Sequence, residues 1–170
     1  MRITYETGAY RPYEDLVAEA AAATGLDRRL AAALAARYAE LRPWPDVVPV
    51  LARLAASGLT LGIVTNCSRR LGRIAAGRIG IPFACVVTAE DAGCYKPDPR
   101  AYRLALRQLD VTPERCLFVA GSAYDLIGTA QVGLATYWHD RIGMTAPEDT
   151  PPPLVHERTL AALPGWCGIA

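Results

Sequence analysis

Along residues 13–41 (YEDLVAEAAAATGLDRRLAAALAARYAEL) alanine and leucine recur between charged positions, with a break near Gly25-Leu26. The pattern predicts two helices, and Asp27 stands where it can cap the second. RPWPDV then forces a turn, because its two prolines forbid helix continuation. A helix resumes over 46–57 and ends at Ser57-Gly58. From there the period changes. LTLGIVT (59–65), ACVVTA (84–89), RCLFVAG (115–121) and LATYWHD (134–140) are short apolar runs, each read as a buried strand. Between them the pattern predicts helices at about 68–79, from Pro97–Pro99 to Leu109, and over about 124–132. The tail reads as loop through APEDTPPP and then as one short helix around 156–162.

Continuous hydrophobic strands alternating with helices predict an α/β domain with a parallel sheet covered on both faces. We divide the chain into a helical cap, 1–42, and an α/β core, 43–170. Open parallel sheets bind ligands beyond the carboxyl ends of their strands. That rule selects Thr65, Asn66, Ser68, Thr88, Glu90, Ser122, Asp125, His139 and Asp140, with Lys96 close after the second strand.

Composition narrows the classes of partner. With 52% apolar and 21% charged residues in 170, the chain is a packed globule. A net charge of +1 gives no basic surface for nucleic acid, and Arg69, Arg70, Arg73 and Arg78 fall at helical spacing, as on a solvated face. No apolar run is long enough to span a membrane, and no charged leader precedes an apolar segment. The five cysteines form no CxxC pair, so a reducing cytoplasm is expected rather than a disulfide framework.

Taken singly, most of these polar residues have a plain structural role open to them. Thr65-Asn66 can bind an oxyanion without charge, or simply make a turn and helix cap. Lys96, in GCYKPDP, is either a surface lysine or a cation held at the shared edge by stiff flanking prolines. Asp125 can hold a metal, position water, or cap the helix that follows it. His139 has no serine and carboxylate arrangement around it. Cys67 is the one thiol at the sheet edge, but no adjacent histidine activates it. GSAYDLIG lacks the lysine and glycine spacing of a phosphate loop.

In order, RPWPDV, GIVTNCS, TAEDAGCYKPDPRAY and FVAGSAYDLIGTAQVGLATYWHDR resemble the haloacid dehalogenase superfamily, over about Leu41 to Arg141. The likeness is strongest to its metal-independent 2-haloacid dehalogenases. It implies a Rossmann-like core with a helical cap. It also implies hydrolysis of a small 2-haloacid to halide and 2-hydroxyacid through an aspartyl ester. On this resemblance Thr65 steadies a carboxylate or phosphoryl oxygen, and Asn66 meets the leaving halide. Lys96 holds the nucleophilic carboxylate, Asp125 orients the hydrolytic water, and Tyr102 and Tyr124 line the pocket. Ser122 takes a position where those enzymes carry asparagine. No cofactor is implied.

Two departures matter. Phosphatases of the superfamily place a metal-binding acid where this chain has Gly121, which argues against a Mg²⁺ site; Mg²⁺ enters only if a small-metabolite phosphatase is the correct reading. More seriously, the nucleophilic aspartate and its central strand are absent from residues 1–12 (MRITYETGAYRP), and Asp15 and Asp27 sit in helical sequence. Without that strand, two buried edges lose partners at about 1 kcal/mol or more per orphaned group. Three explanations are carried forward: a start downstream of the true one, a non-catalytic binding relict, or a strand supplied by another chain. A homodimer is a separate possibility for its assembly. The chain alone is expected to turn over neither 2-haloacid nor phosphate ester.

Overall fold

The computed structural model describes residues 8–169. The Ala-rich start forms α1 (Tyr13–Ala23) and α2 (Arg29–Ala36). Gly25, at φ +79°, makes the left-handed turn between them. Asp27 accepts the backbone N–H of Arg29 at 2.8 Å, the capping contact its position predicts. A single 3₁₀ turn, Tyr38–Glu40, follows. Leu16 is the buried anchor of this helical region and packs on Ala89 and Tyr95 of the core, with Tyr10 stacked on Tyr95. Both Asp15 and Asp27 are exposed.

The core continues with α3 (Val47–Ala56), β1 (Gly62–Thr65), α4 (Arg69–Gly77), β2 (Cys85–Thr88), α5 (Ala89–Ala92) and α6 (Pro99–Leu109). After a 3₁₀ turn come β3 (Leu117–Ala120), α7 (Asp125–Ala130), β4 (Ala135–His139), β5 (Val155–Glu157) and α8 (Leu163–Trp166). All strand pairings are parallel: β1 with β2, β3 with β4 and β4 with β5. The α/β class and its parallel order follow the expectation. Strands are shorter than their apolar runs; Leu61, just before β1, packs on the core and accepts the Ala84 N–H at 2.8 Å.

Two features differ from the sequence expectation. The tail does not form a helix over 156–162. Val155–Glu157 instead pairs with Tyr137–His139, burying Val155 beside Tyr137, Leu160 and Leu163, and the short helix falls at Leu163–Trp166. Three prolines at 151–153 hold the approach extended, and the long-range ladder then overrides the helical propensity of the following residues. Cys116 lies just outside β3 rather than within a strand, whereas Cys85 is buried in β2 as expected.

Among the described residues the ladder is divided into a two-stranded sheet, β1-β2, and a three-stranded sheet, β3-β4-β5. β1 and β3 each keep one edge without a strand partner. They are also the less buried strands; β2 and β4 carry the deeply buried positions. In an ordinary parallel sheet the inner strands are the most buried. Side chains tie the halves together. The helix α3 precedes β1 in sequence yet packs through Leu54 on the β3–β5 half. Its N-terminal Asp46 pairs with Arg141 and accepts the Leu160 N–H at 2.9 Å. Arg141 in turn lies over the Trp44 ring.

Candidate functional site

The strand ends carry the polar residues that topology selects, but the structure sorts them into two groups. One group serves local structure. Thr88 and Asp91 form a capping box at the start of α5. Glu90 pairs with Arg69 at 3.0 Å. Ser68 is buried, caps α4 through the Leu71 N–H, and donates to Glu14 of α1 at 2.9 Å. Asp140 accepts the Met144 N–H at 2.7 Å and faces His156. Ser122 also belongs here: its hydroxyl accepts from Tyr124 N at 3.3 Å and donates to the Met144 sulfur.

The other group is built around Asp125. This residue opens α7, yet its side chain makes no capping bond. Its carboxylate turns to Lys96, whose ammonium lies 3.0 Å from Oδ1 and 3.2 Å from Oδ2. The Tyr102 hydroxyl donates to Oδ1 at 2.7 Å. The side chains of Lys96 and Asp125 are 16% and 8% exposed, so the pair is largely withdrawn from water but reachable. Tyr102 is only 1% exposed; it backs Asp125 from within rather than lining an open pocket. Its ring meets Phe118 edge-on at 5.2 Å, and the Lys96 ammonium sits 5.5 Å from the same Phe118 ring.

Backbone approach makes this arrangement possible. A Cβ on Gly128 would lie 2.3 Å from the Pro97 carbonyl oxygen and 2.4 Å from Tyr102 Cε2. Only glycine lets α7 pack directly on the Lys96–Pro97 segment. Asn66, just past β1, reaches across to the same segment. Its Nδ2 donates to the Lys96 carbonyl at 3.1 Å, and its Oδ1 accepts the Lys96 N–H at 2.7 Å. Thr65 ends β1 opposite Thr88, and its hydroxyl bonds no protein group among the described residues. Tyr124 is half-buried at the N-terminus of α7.

Gly121 is exposed, and a Cβ there would meet the His139 imidazole at 3.5 Å. Burial, together with the nearby Arg141 charge, holds His139 below the ordinary histidine value, with Asp46 acting in the opposite sense. A position that needs a second carboxylate for Mg²⁺ thus offers a glycine backed by an imidazole. The residues present do not fit that metal.

Phe118, Gly128 and the seam between cap and core escaped the sequence reading. At that seam the Tyr38 hydroxyl and the Cys67 sulfur are 3.6 Å apart. Burial raises the Tyr38 hydroxyl above its ordinary value, reinforced by its bond to Tyr13. A glycine three residues after Asp125 was the available signal for Gly128. Nothing local announces the Tyr38–Cys67 contact, since the partners are 29 residues apart.

The chain is a parallel α/β core of the Rossmann-like class with a largely buried lysine–carboxylate pair at its strand ends. The profile described as haloacid dehalogenase-like hydrolase matches residues 4–133. The chain belongs to that family. It is 35% identical over 107 residues to (S)-2-haloacid dehalogenase 1 of Pseudomonas sp. (strain CBS-3), covering 62% of this chain and 47% of the relative. It is 33% identical over 135 residues to (S)-2-haloacid dehalogenase 4A of Burkholderia cepacia, covering 78% and 56%. A crystal structure of an L-2-haloacid dehalogenase superposes with a TM-score of 0.84 at 28% identity, covering 98% of this chain and 79% of that one. The chain spans about half the length of the curated relatives it matches. No helix among the described residues is long and apolar enough to cross a membrane.

Proposed function

We propose that this chain carries the lysine–aspartate half of a 2-haloacid dehalogenase site, and that an aspartate on a strand seated between β1 and β3 completes it. The observation that carries the reading is the Lys96–Asp125–Tyr102 cluster at the strand ends of a ladder that, among the described residues, is divided between β1-β2 and β3-β4-β5. In the completed site the aspartate carboxylate attacks C2 of a small (S)-2-haloacid, forming an ester as the carbon–halogen bond breaks and halide leaves. Lys96 offsets the charge of the attacking carboxylate. Asp125, held by Lys96 and Tyr102, orients the water that cleaves the ester to 2-hydroxyacid and restores the aspartate. Thr65 steadies the nucleophile, and Tyr124 lies over the substrate. Ser122 acts through the loop that presents Asp125, since its hydroxyl is taken up locally. Residues 1–42 are read as the cap and 43–170 as the core, of which residues 1–7 and 170 lie outside the described residues.

Sequence beyond this chain, or a different partner chain, supplies the aspartate strand. Separately, the exposed Leu26, Leu30 and Leu34 at the surface of the cap favour an interface there, such as that of a homodimer. The five free thiols support a reducing cytoplasm. A Mg²⁺ phosphatase gains no support from Gly121.

The test is halide release from (S)-2-chloropropionate. The 170-residue chain alone is expected to release none, and none from p-nitrophenyl phosphate with Mg²⁺. The same chain preceded by the aspartate-bearing strand of an (S)-2-haloacid dehalogenase is expected to release halide, and to lose that activity on Lys96→Ala. Silence of the preceded chain when folded sinks the reading. Turnover by the chain alone, lost on Asp125→Asn, would show that no added strand is needed.

A further inference from the structure

Lys96 is the single lysine of the chain; the other 17 basic residues are arginines. An ammonium is a compact point charge on a flexible stem, with none of the planar fork by which a guanidinium orients itself. Where it sits therefore depends on what holds its backbone. Here that backbone is held on both sides by one side chain. The Asn66 amide donates to the Lys96 carbonyl and accepts from the Lys96 N–H, as one strand of a ladder does for the next. This pair of hydrogen bonds links the end of β1 to the segment that carries the ammonium towards Asp125 on the β3 side of the divided sheet.

We infer that Asn66 is a positioning residue for Lys96. Its amide fixes the Lys96 peptide so that the ammonium stands against Asp125, where the proposed reaction needs a cation; the catalytic consequence rests on that proposed function. One of the two Nδ2 hydrogens is spent on the Lys96 carbonyl, so a contact with a leaving halide is at most the second duty of this residue. The placement of Lys96 is the first.

Because the chain has one lysine, its amines are Lys96 Nζ and its own α-amine, and acetylation rates read by peptide mass spectrometry separate them. The α-amine serves as the internal reference. With its side chain only 16% exposed and lodged against Asp125, Lys96 reacts slowly in the parent chain, and Asp125→Ala, which opens space beside it, raises its rate. Asn66→Ala is expected to raise it about tenfold, the scale set by loss of a hydrogen-bonded constraint, while the buried thiols of Cys85 and Cys94 stay protected. Asn66→Asp keeps the acceptor for the Lys96 N–H and loses the donor, so its rate falls between the two. Should Asn66→Ala expose the buried thiols, Asn66→Asp carries the test on the same criterion. An unchanged Lys96 rate in folded Asn66 variants overturns the inference. So does a rise in Lys96 labelling that is matched by the thiols in both variants, because general loosening then accounts for it. The measurement needs no turnover, so absent halide release and absent repositioning are separate results.

Discussion

The two halves of the divided sheet handle their strand ends differently. In the β1–β2 half the polar residues beyond the strands are mostly spent on helix starts and on the cap: Thr88 in a capping box, Glu90 on Arg69, Ser68 on α4 and Glu14. In the β3–β5 half, Ser122 and Asp140 close loops over Met144. What neither half can satisfy internally meets its counterpart in the other. Lys96 comes from the first half, Asp125 from the second, and no backbone ladder between the described strands holds them in place. Functional chemistry in this fold is thus concentrated where stability is least redundant. The Lys96–Asp125 contact across the seam both shapes the site and links the two halves.

The comparison breaks most severely at Gly128. Gly128→Ala drives a methyl into the Pro97 carbonyl and the Tyr102 ring, atoms fixed by backbone and burial, and should cost about 3 kcal/mol in urea unfolding. Next comes Asp125→Ala, which strands the Lys96 ammonium and removes an acceptor of the Tyr102 hydroxyl. Because Lys96 remains partly solvated, we expect about 2 kcal/mol, below the range for fully buried pairs. Asp125→Asn keeps an acceptor for Tyr102 and should cost about 1 kcal/mol, and the gap between the two substitutions measures the charge. Arg141→Ala acts where α3 packs on the second half. It removes the partner of Asp46 and the contact with Trp44, for about 1–2 kcal/mol. Native-state hydrogen exchange should show that loss in β3, β4 and α3 more than in β1 and β2. Uniform loss in all strands would mean that the halves unfold as one unit.

How much of this was legible beforehand follows from the range of the forces involved. The change from helical period to short apolar runs is local, and it placed β1 to β4 and their parallel order. The set of strand-end residues came from topology, and it contained Lys96, Asp125 and Asn66. Their sorting was hidden. Capping was an equal reading for Asp125 because a carboxylate at a helix start usually turns to its own backbone, and only the position of Lys96 shows why this one does not. The strand Val155–Glu157 was illegible for the same reason: three residues carry little local signal, and its partner, β4, lies well upstream in sequence. Tyr102 could be placed near the site by resemblance, but its role as an internal support for Asp125 needed its depth.

The smallest effect is the one that pH isolates within the second half. His139 faces Gly121 from β4, with Arg141 and Asp46 as the charges that act on it. Burial and Arg141 hold its folded-state value below the ordinary histidine value of about 6.5. The unfolded chain therefore takes up the proton first as pH falls. The contribution to stability is complete above the ordinary histidine value and declines as pH drops through it towards the lower folded value. Asp46 acts in a separate window. Burial alone would push its carboxyl up, but Arg141 and the Leu160 N–H outweigh that and hold it low, so its contribution is lost only below the ordinary carboxylate range. Between pH 5.5 and 7.5 the carboxylate is silent, and a falling thermal midpoint reports histidine. In His139→Asn the slope should flatten while the midpoint at pH 7.5 moves little. If the slope persists unchanged, His139 takes its proton in the folded chain as readily as in the unfolded one, and the imidazole behind Gly121 is not held in its neutral form by the fold.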